Sequence, residues 1–287
     1  MGTPELALPE AVSLFADMGL DGIEIVVQDE YGCGFANEES DARVEEIGAL
    51  VRGKGLEVSC LTPYYFEYNN PDKTERDRDN EGLKHVIHMA SLLDCKFIRI
   101  YGGRFGDDEV DEGNVKLATL ADSMRMLGDI AGKHGITLVL ENHFHTMTTT
   151  AAITARIMKA INHPYVGILY DQANLAFLHA EECQEAIALQ KDYIRYVHAK
   201  DMVYRPGNKT FKSAEVSHIN EEDRIVFSRV IGQGIIPWPE IIRELRGFYD
   251  GWLSMEYERR WTTKDLPPAD IGMREGAKVL RGLLEQA

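Results

Sequence analysis

The chain has 287 residues, and its 47 acidic against 31 basic side chains leave a formal net charge of −16. That balance argues against a nucleic-acid backbone or an anionic membrane surface as partner, because both are held by clustered Lys and Arg, and no apolar run approaches the roughly 18 residues of a membrane span. With 44% hydrophobic residues there is ample material for one large α/β core, so residues 1–287 are expected to form a single domain, cytoplasmic and without a signal peptide.

In chain order, 8–20 carries apolar residues at helical spacing between Pro9 and Gly19, and 22–27 follows as a strand. An acidic amphipathic helix at 40–53 is capped by Ser40 or Asp41; a strand at 56–61 and a polar loop at 62–79 come next, with Tyr64, Tyr65 and Phe66 suited to a pocket wall. A helix through Ala90 leads to a strand at 95–101, and a long helix at 115–133 leads to Thr137-Leu138-Val139-Leu140, which stops at Glu141 and Asn142. A helix at 151–161 precedes a strand at 166–170, and a helix at 181–189 precedes a strand at 194–198. Residues 202–234 read as an irregular polar insertion, before a helix at 237–245, a strand at 252–257 and a closing helix at 269–284. Cys33, Cys60, Cys95 and Cys183 are widely spaced, with no CxxC pair, and read as free thiols.

Strands alternating with helices imply right-handed βαβ units and a parallel sheet. Seven strands, starting near residues 22, 56, 95, 137, 166, 193 and 252, are one short of a (β/α)8 TIM barrel. The first strand is therefore short, with Thr3 to Ala7 as a stub, or missing because the natural chain begins earlier.

Four strands end in a metal-competent side chain: Glu141, Asp171, His198 and Glu256. Any one carboxylate at a strand end is more often an N-cap or an ion-pair partner, but four at one rim ask for a common cause. Two Glu, one Asp and one His make a hard, oxygen-rich set that suits Mn²⁺, Mg²⁺ or Co²⁺ better than a structural zinc.

The runs LVLEN, ILYDQAN, YVHAKD and WLSMEYE, in this order and after the opening LPEAVSLFADMGLDGIEI, resemble the xylose isomerase-like TIM barrels of the sugar phosphate isomerase and epimerase group, which includes ketose 3-epimerases and inosose dehydratases. The resemblance implies one divalent ion, Mn²⁺ first with Mg²⁺, Co²⁺ or Zn²⁺ as alternatives, on Glu141, Asp171, His198 and Glu256. It also implies that Glu141 and Glu256 exchange protons with a sugar or polyol, and a homodimer or homotetramer as the assembly. Asn174 stands where the ketose 3-epimerases carry a substrate-contacting His, Tyr204 where they carry an Arg, and Met147 where they carry a further Glu. Lys200, in turn, matches the HxKD pattern of inosose-type members.

The expected function is thus a metal-dependent isomerase or epimerase, removing a proton beside a carbonyl through a metal-stabilised enediolate. An inosose dehydratase-like lyase is the alternative, with an apurinic-site endonuclease or a non-catalytic barrel after it. Expected substrate contacts are Glu24, His143, His145, Asn174, Lys200, Asp201, Glu258, Arg259 and Trp261, while Lys209 and Lys212 read as part of a solvated loop.

Overall fold

The computed structural model describes residues 1–106, 108–206, 224–261 and 263–286. The elements are α1 (Leu8–Asp17), β1 (Gly22–Val27), α2 (Asp41–Gly53), β2 (Glu57–Pro63), α3 (Lys73–Leu92), β3 (Phe97–Ile100), α4 (Val115–Gly132), β4 (Thr137–Glu141), α5 (Ala151–Ile161), β5 (Val166–Tyr170), α6 (Gln172–Phe177), α7 (Cys183–Gln190), β6 (Ile194–Ala199), β7 (Asp201–Tyr204), β8 (Val226–Arg229), α8 (Trp238–Leu245), β9 (Leu253–Met255) and α9 (Ala269–Gln286). β1 to β6 and then β9 form one seven-stranded sheet in sequence order, every neighbouring pair parallel.

This is a nearly closed barrel with its helices outside, as the alternation of strands and helices predicts. The ends of the sheet, β1 and β9, do not pair among the described residues, yet they face each other closely: a Cβ on Gly22 would lie 2.9 Å from the Trp252 ring. Thr3 to Ala7 is not a strand. Leu6 N–H donates to the Thr3 carbonyl (3.1 Å) to close a turn, and Ala7 N–H donates to Glu10 (2.8 Å) as the start of α1. Pro4, with no N–H of its own, suits that turn better than a ladder.

Two further expectations give way. The polar loop foreseen at 62–79 already contains the first two turns of α3, which begins after Asp72 accepts a bond from Thr74 N–H (2.8 Å). Its charged residues Lys73, Asp77, Arg78 and Glu75 pair along the helix surface, which an apolar-period search does not register. The insertion at 202–234 is not wholly irregular: β7 and β8 pair antiparallel, from Asp201 opposite Arg229 to Tyr204 opposite Val226, as their β-branched and aromatic residues favour. Lys209 and Lys212 lie outside the described residues.

Side chains of a strand alternate between faces, and here that alternation builds the site. Leu138, Leu140, Ile98, Ile100 and Ile168 pack outward in the core beneath the helices. Cys60, Val139, Leu169 and Tyr196, with Phe97 and Trp252, form a separate cluster on the other face. Two residues further along the same strands come Arg99, Glu141, Asp171, His198 and, from Trp252 by way of Ser254, Glu256. The apolar inner layer is thus the floor on which a charged layer rests.

Candidate metal centre

Glu141, Asp171, His198 and Glu256 each present one ligand atom, and these atoms all lie within 4.8 Å of one another. His198 is the hub: its Nδ1 is 3.5 Å from Glu141 Oε1, 3.5 Å from Glu256 Oε2 and 3.9 Å from Asp171 Oδ2. Asp171 Oδ2 has the Lys200 ammonium beside it at 3.0 Å, while the oxygens around His198 Nδ1 stay at 3.5 Å and beyond. Three carboxylates gathered around one imidazole nitrogen in a buried site are an arrangement that a divalent cation would satisfy. Two Glu, one Asp and one imidazole are a donor set that fits a divalent ion.

Asp171 is also an N-cap, because its other oxygen accepts from Asn174 N–H (2.9 Å) at the start of α6. One carboxylate serves both purposes, capping through Oδ1 and facing the cluster through Oδ2. Asn174 supports Glu141 rather than standing open for substrate: its Nδ2 donates to Glu141 Oε1 (3.1 Å) and to the Asn142 carbonyl (2.8 Å).

Glu24, expected as a substrate ligand, bonds His198 instead. Its two oxygens lie 3.1 and 3.2 Å from His198 Nε2. Glu24 holds the Nε2 proton, so that on metal binding the proton lost would be the one on Nδ1, giving the tautomer a metal ligand needs. Burial opposes the charge on this imidazole, but Glu24, Glu256 and Glu141 outweigh it and hold His198 well above the usual histidine range.

Lys200 also faces the cluster, two residues beyond His198 on the same strand face. Its Nζ is 2.6 Å from Glu256 Oε2, 3.0 Å from Asp171 Oδ2 and 3.7 Å from Glu258 Oε1. Burial disfavours the ammonium, yet Asp171 and Glu256 keep it protonated well above the normal lysine range. Glu258 is pushed up to about 7, chiefly by burial.

The remaining expected contacts divide. His143 is near Glu141, its ring edge-on to Tyr101 at 4.9 Å and its Nδ1 2.6 Å from the Phe144 carbonyl; burial lowers its pKa, favouring the neutral ring. His145 sits on the loop after β4 with φ 57°, its ring edge-on to Phe144. Arg259 turns toward Glu5 of the N-terminal segment (3.0 Å). Trp261 is exposed, with Arg260 against its ring.

Asp201 is a correction of a different kind. Both its oxygens are occupied by backbone: Met202 N–H (2.9 Å), Gly232 N–H (2.9 Å), Gly234 N–H (2.9 Å) and Ile236 N–H (3.1 Å) all donate to it. The carboxylate ties the return of the hairpin to the end of β6, and Gly234 is required there because a Cβ would fall 2.0 Å from Asp201 Oδ1. Asp201→Ala strands these donors, so an unfolding free-energy loss on the order of 3 kcal/mol is expected in urea titrations; a loss under about 1 kcal/mol would contradict the role.

One site residue escaped the sequence reading. Arg99 is buried (3% exposed), its Nε 3.5 Å from Glu141 Oε2. A lone arginine inside the short apolar run Phe97-Ile98-Arg99-Ile100 was the available signal.

Comparison with known proteins identifies the family to which this barrel belongs. Residues 12–283 match the family model of the xylose isomerase-like TIM barrel. The chain is 22% identical to a 3-dehydroshikimate dehydratase of Bacillus anthracis over 266 residues, 88% of this chain and 86% of that protein. It is 30% identical to an inosose dehydratase of Bacillus velezensis over 162 residues, 54% of this chain, and that match spans about half (49%) of the relative's length. Among solved structures, the IOLI protein with a bound zinc atom superimposes with a TM-score of 0.76 at 17% identity, covering 99% of this chain and 95% of that one. On the match over residues 12–283, the chain belongs to the xylose isomerase-like TIM barrels.

Proposed function

We propose that the protein is a divalent-metal-dependent lyase that removes water from a cyclic hydroxyketone. The observation that carries this is the 2.6 Å pair between Lys200 Nζ and Glu256 Oε2. An epimerase of the kind the resemblance implies needs two comparable carboxylates, one taking a proton and one returning it. Here Glu256 is tied to an ammonium, so the site is asymmetric: a carboxylate base at Glu141 and a protonated amine at Lys200. The two relatives in sequence described above are both named dehydratases.

The residues divide the work as follows. Glu141 takes the proton from the carbon beside the carbonyl. Burial and Glu256 raise its pKa, but the bond from His198 and the Arg99 guanidinium outweigh them and keep it ionised, ready to act as base. Lys200 gives a proton to the departing hydroxyl, so the C–H and C–O bonds are exchanged for a C=C bond and one water. Arg99 cannot substitute as acid, since a guanidinium does not release its proton in a protein. A cation on Glu141, Asp171, His198 and Glu256 would supply Lewis acidity at the carbonyl.

Metal-loaded protein incubated with inosose or 3-dehydroshikimate should give an unsaturated, ultraviolet-absorbing product. Recovery of the ketone carrying deuterium from D₂O, with no such product, would instead support the epimerase. Two metal predictions arise from His198. Because a metal takes the Nδ1 lone pair of an imidazole held charged in its absence, binding near pH 7 should release about one proton per ion, and affinity should fall as pH falls; calorimetry in buffers of different ionisation enthalpy reads this, and no proton release would refute it. Glu24→Gln should weaken metal binding roughly 10- to 100-fold by loosening ring and tautomer, with unchanged affinity as the contrary result.

A further inference from the structure

We infer that Arg99 receives a negatively charged group of the substrate, a carboxylate on the ring, so that the site takes an acidic hydroxyketone in preference to a neutral one. This builds on the lyase reading above and adds what the substrate must carry.

A guanidinium offers five N–H donors in a planar fork that matches a carboxylate, and an arginine this deeply buried ordinarily has them all engaged. Arg99 does not: Nε and Nη1 have no hydrogen-bond partner among the described residues. The rings of Tyr64 and Tyr101 lie 4.8 and 4.0 Å from its Cζ. Both rings offer it cation–π contact but no hydrogen-bond acceptor to Nε or Nη1. Its carboxylate neighbour, Glu141, approaches only to 3.5 Å and is also one of the four candidate ligands, so a bound dication draws on the same charge. Lys200, by contrast, has Glu256, Asp171 and Glu258 within 3.7 Å.

The placement fits a ligand. Arg99 lines a cavity of about 140 Å³ beside the cluster, together with Thr62, Tyr64, Glu24, Ser254 and Glu256, while Glu141 and Lys200 are not among its walls. A ring acid whose carboxylate meets Arg99 would present its far side to Glu256. If Arg99 merely balanced Glu141, neutral and acidic ligands would bind alike.

The test uses the Mn²⁺-loaded protein and two probes that differ only in the carboxylate, 3,4-dihydroxybenzoate and catechol, titrated by calorimetry. The acid is expected to bind roughly 30-fold tighter or more, as a charge-assisted pair in a buried site implies. At saturating Mn²⁺, Arg99→Met should bring the ratio to near unity, and Arg99→Lys should restore part of it. Equal affinities in the parent protein overturn the inference by themselves, even where the Met variant fails to fold. So does a preference that survives in folded Arg99→Met. Because the ratio is a binding measurement, it is distinct from the dehydration assay: failure to dehydrate either ketone removes the lyase reading without altering the ratio.

Discussion

Glu141→Gln is expected to lower dehydration of the hydroxyketone by roughly 10³-fold or more at saturating metal, since a positioned base alone contributes about 10² to 10⁴. The substitution keeps the shape and removes two things at once. Oε1 of Glu141 accepts from Asn174 Nδ2 at 3.1 Å, and Oε2 faces Arg99 Nε at 3.5 Å. An amide must turn a donor toward one of these donors, and it is neither a base nor an anionic ligand. The backbone is held independently, because Thr148 Oγ1 donates to the Glu141 carbonyl (2.5 Å), so β4 should keep its place and thermal unfolding should change little. Measuring kcat across a metal titration separates lost ligation from lost proton transfer. Glu141→Asp, which keeps the charge but withdraws it by one methylene, should retain more activity than the amide. Dehydration by Glu141→Gln at more than about a tenth of the parent rate would rule out Glu141 as the base.

How far the sequence discloses this site depends on where each charge sits relative to its apolar run. Glu141, Asp171 and His198 each close a strand of apolar residues, and a charge at that boundary is visible without knowing what lies opposite. Arg99 sits inside its strand and looks like a misfit until the two-residue alternation puts it on the inner face above Phe97. Asp201 shows the opposite limit. It neighbours the site in sequence, but its four donors come from Met202 and from residues about thirty positions later, and no local pattern announces a turn returning to it. Glu24 belongs with Asp201 in this respect, since its partner His198 lies 174 residues away. The barrel itself was legible because strand and helix periods are local properties. The hairpin of β7 and β8 was obscured by the long polar connection between its arms, and the start of α3 by a first turn that carries charge rather than an apolar stripe.

Lys200→Met should separate the two halves of the reaction. Removing a general acid is expected to cost about 10² to 10⁴ in kcat for loss of water, while Glu141 remains able to take the proton beside the carbonyl. The variant should therefore exchange that hydrogen for deuterium in D₂O and return the ketone largely unconverted. Its metal affinity should rise rather than fall: the ammonium sits 3.0 Å from Asp171 Oδ2 and 2.6 Å from Glu256 Oε2, competing with a cation for the same oxygens. Opposite signs in the two measurements distinguish this from simple structural damage, which would weaken both. Methionine suits the position because the lysine stem packs near Phe177, with Nζ 5.6 Å from its ring, and an unbranched apolar chain can fill that space. Equal loss of exchange and dehydration would make Lys200 a positioning residue for Glu256 rather than the acid. Dehydration at the parent rate would remove Lys200 from the chemistry altogether and return the two glutamates to the symmetric roles an epimerase requires.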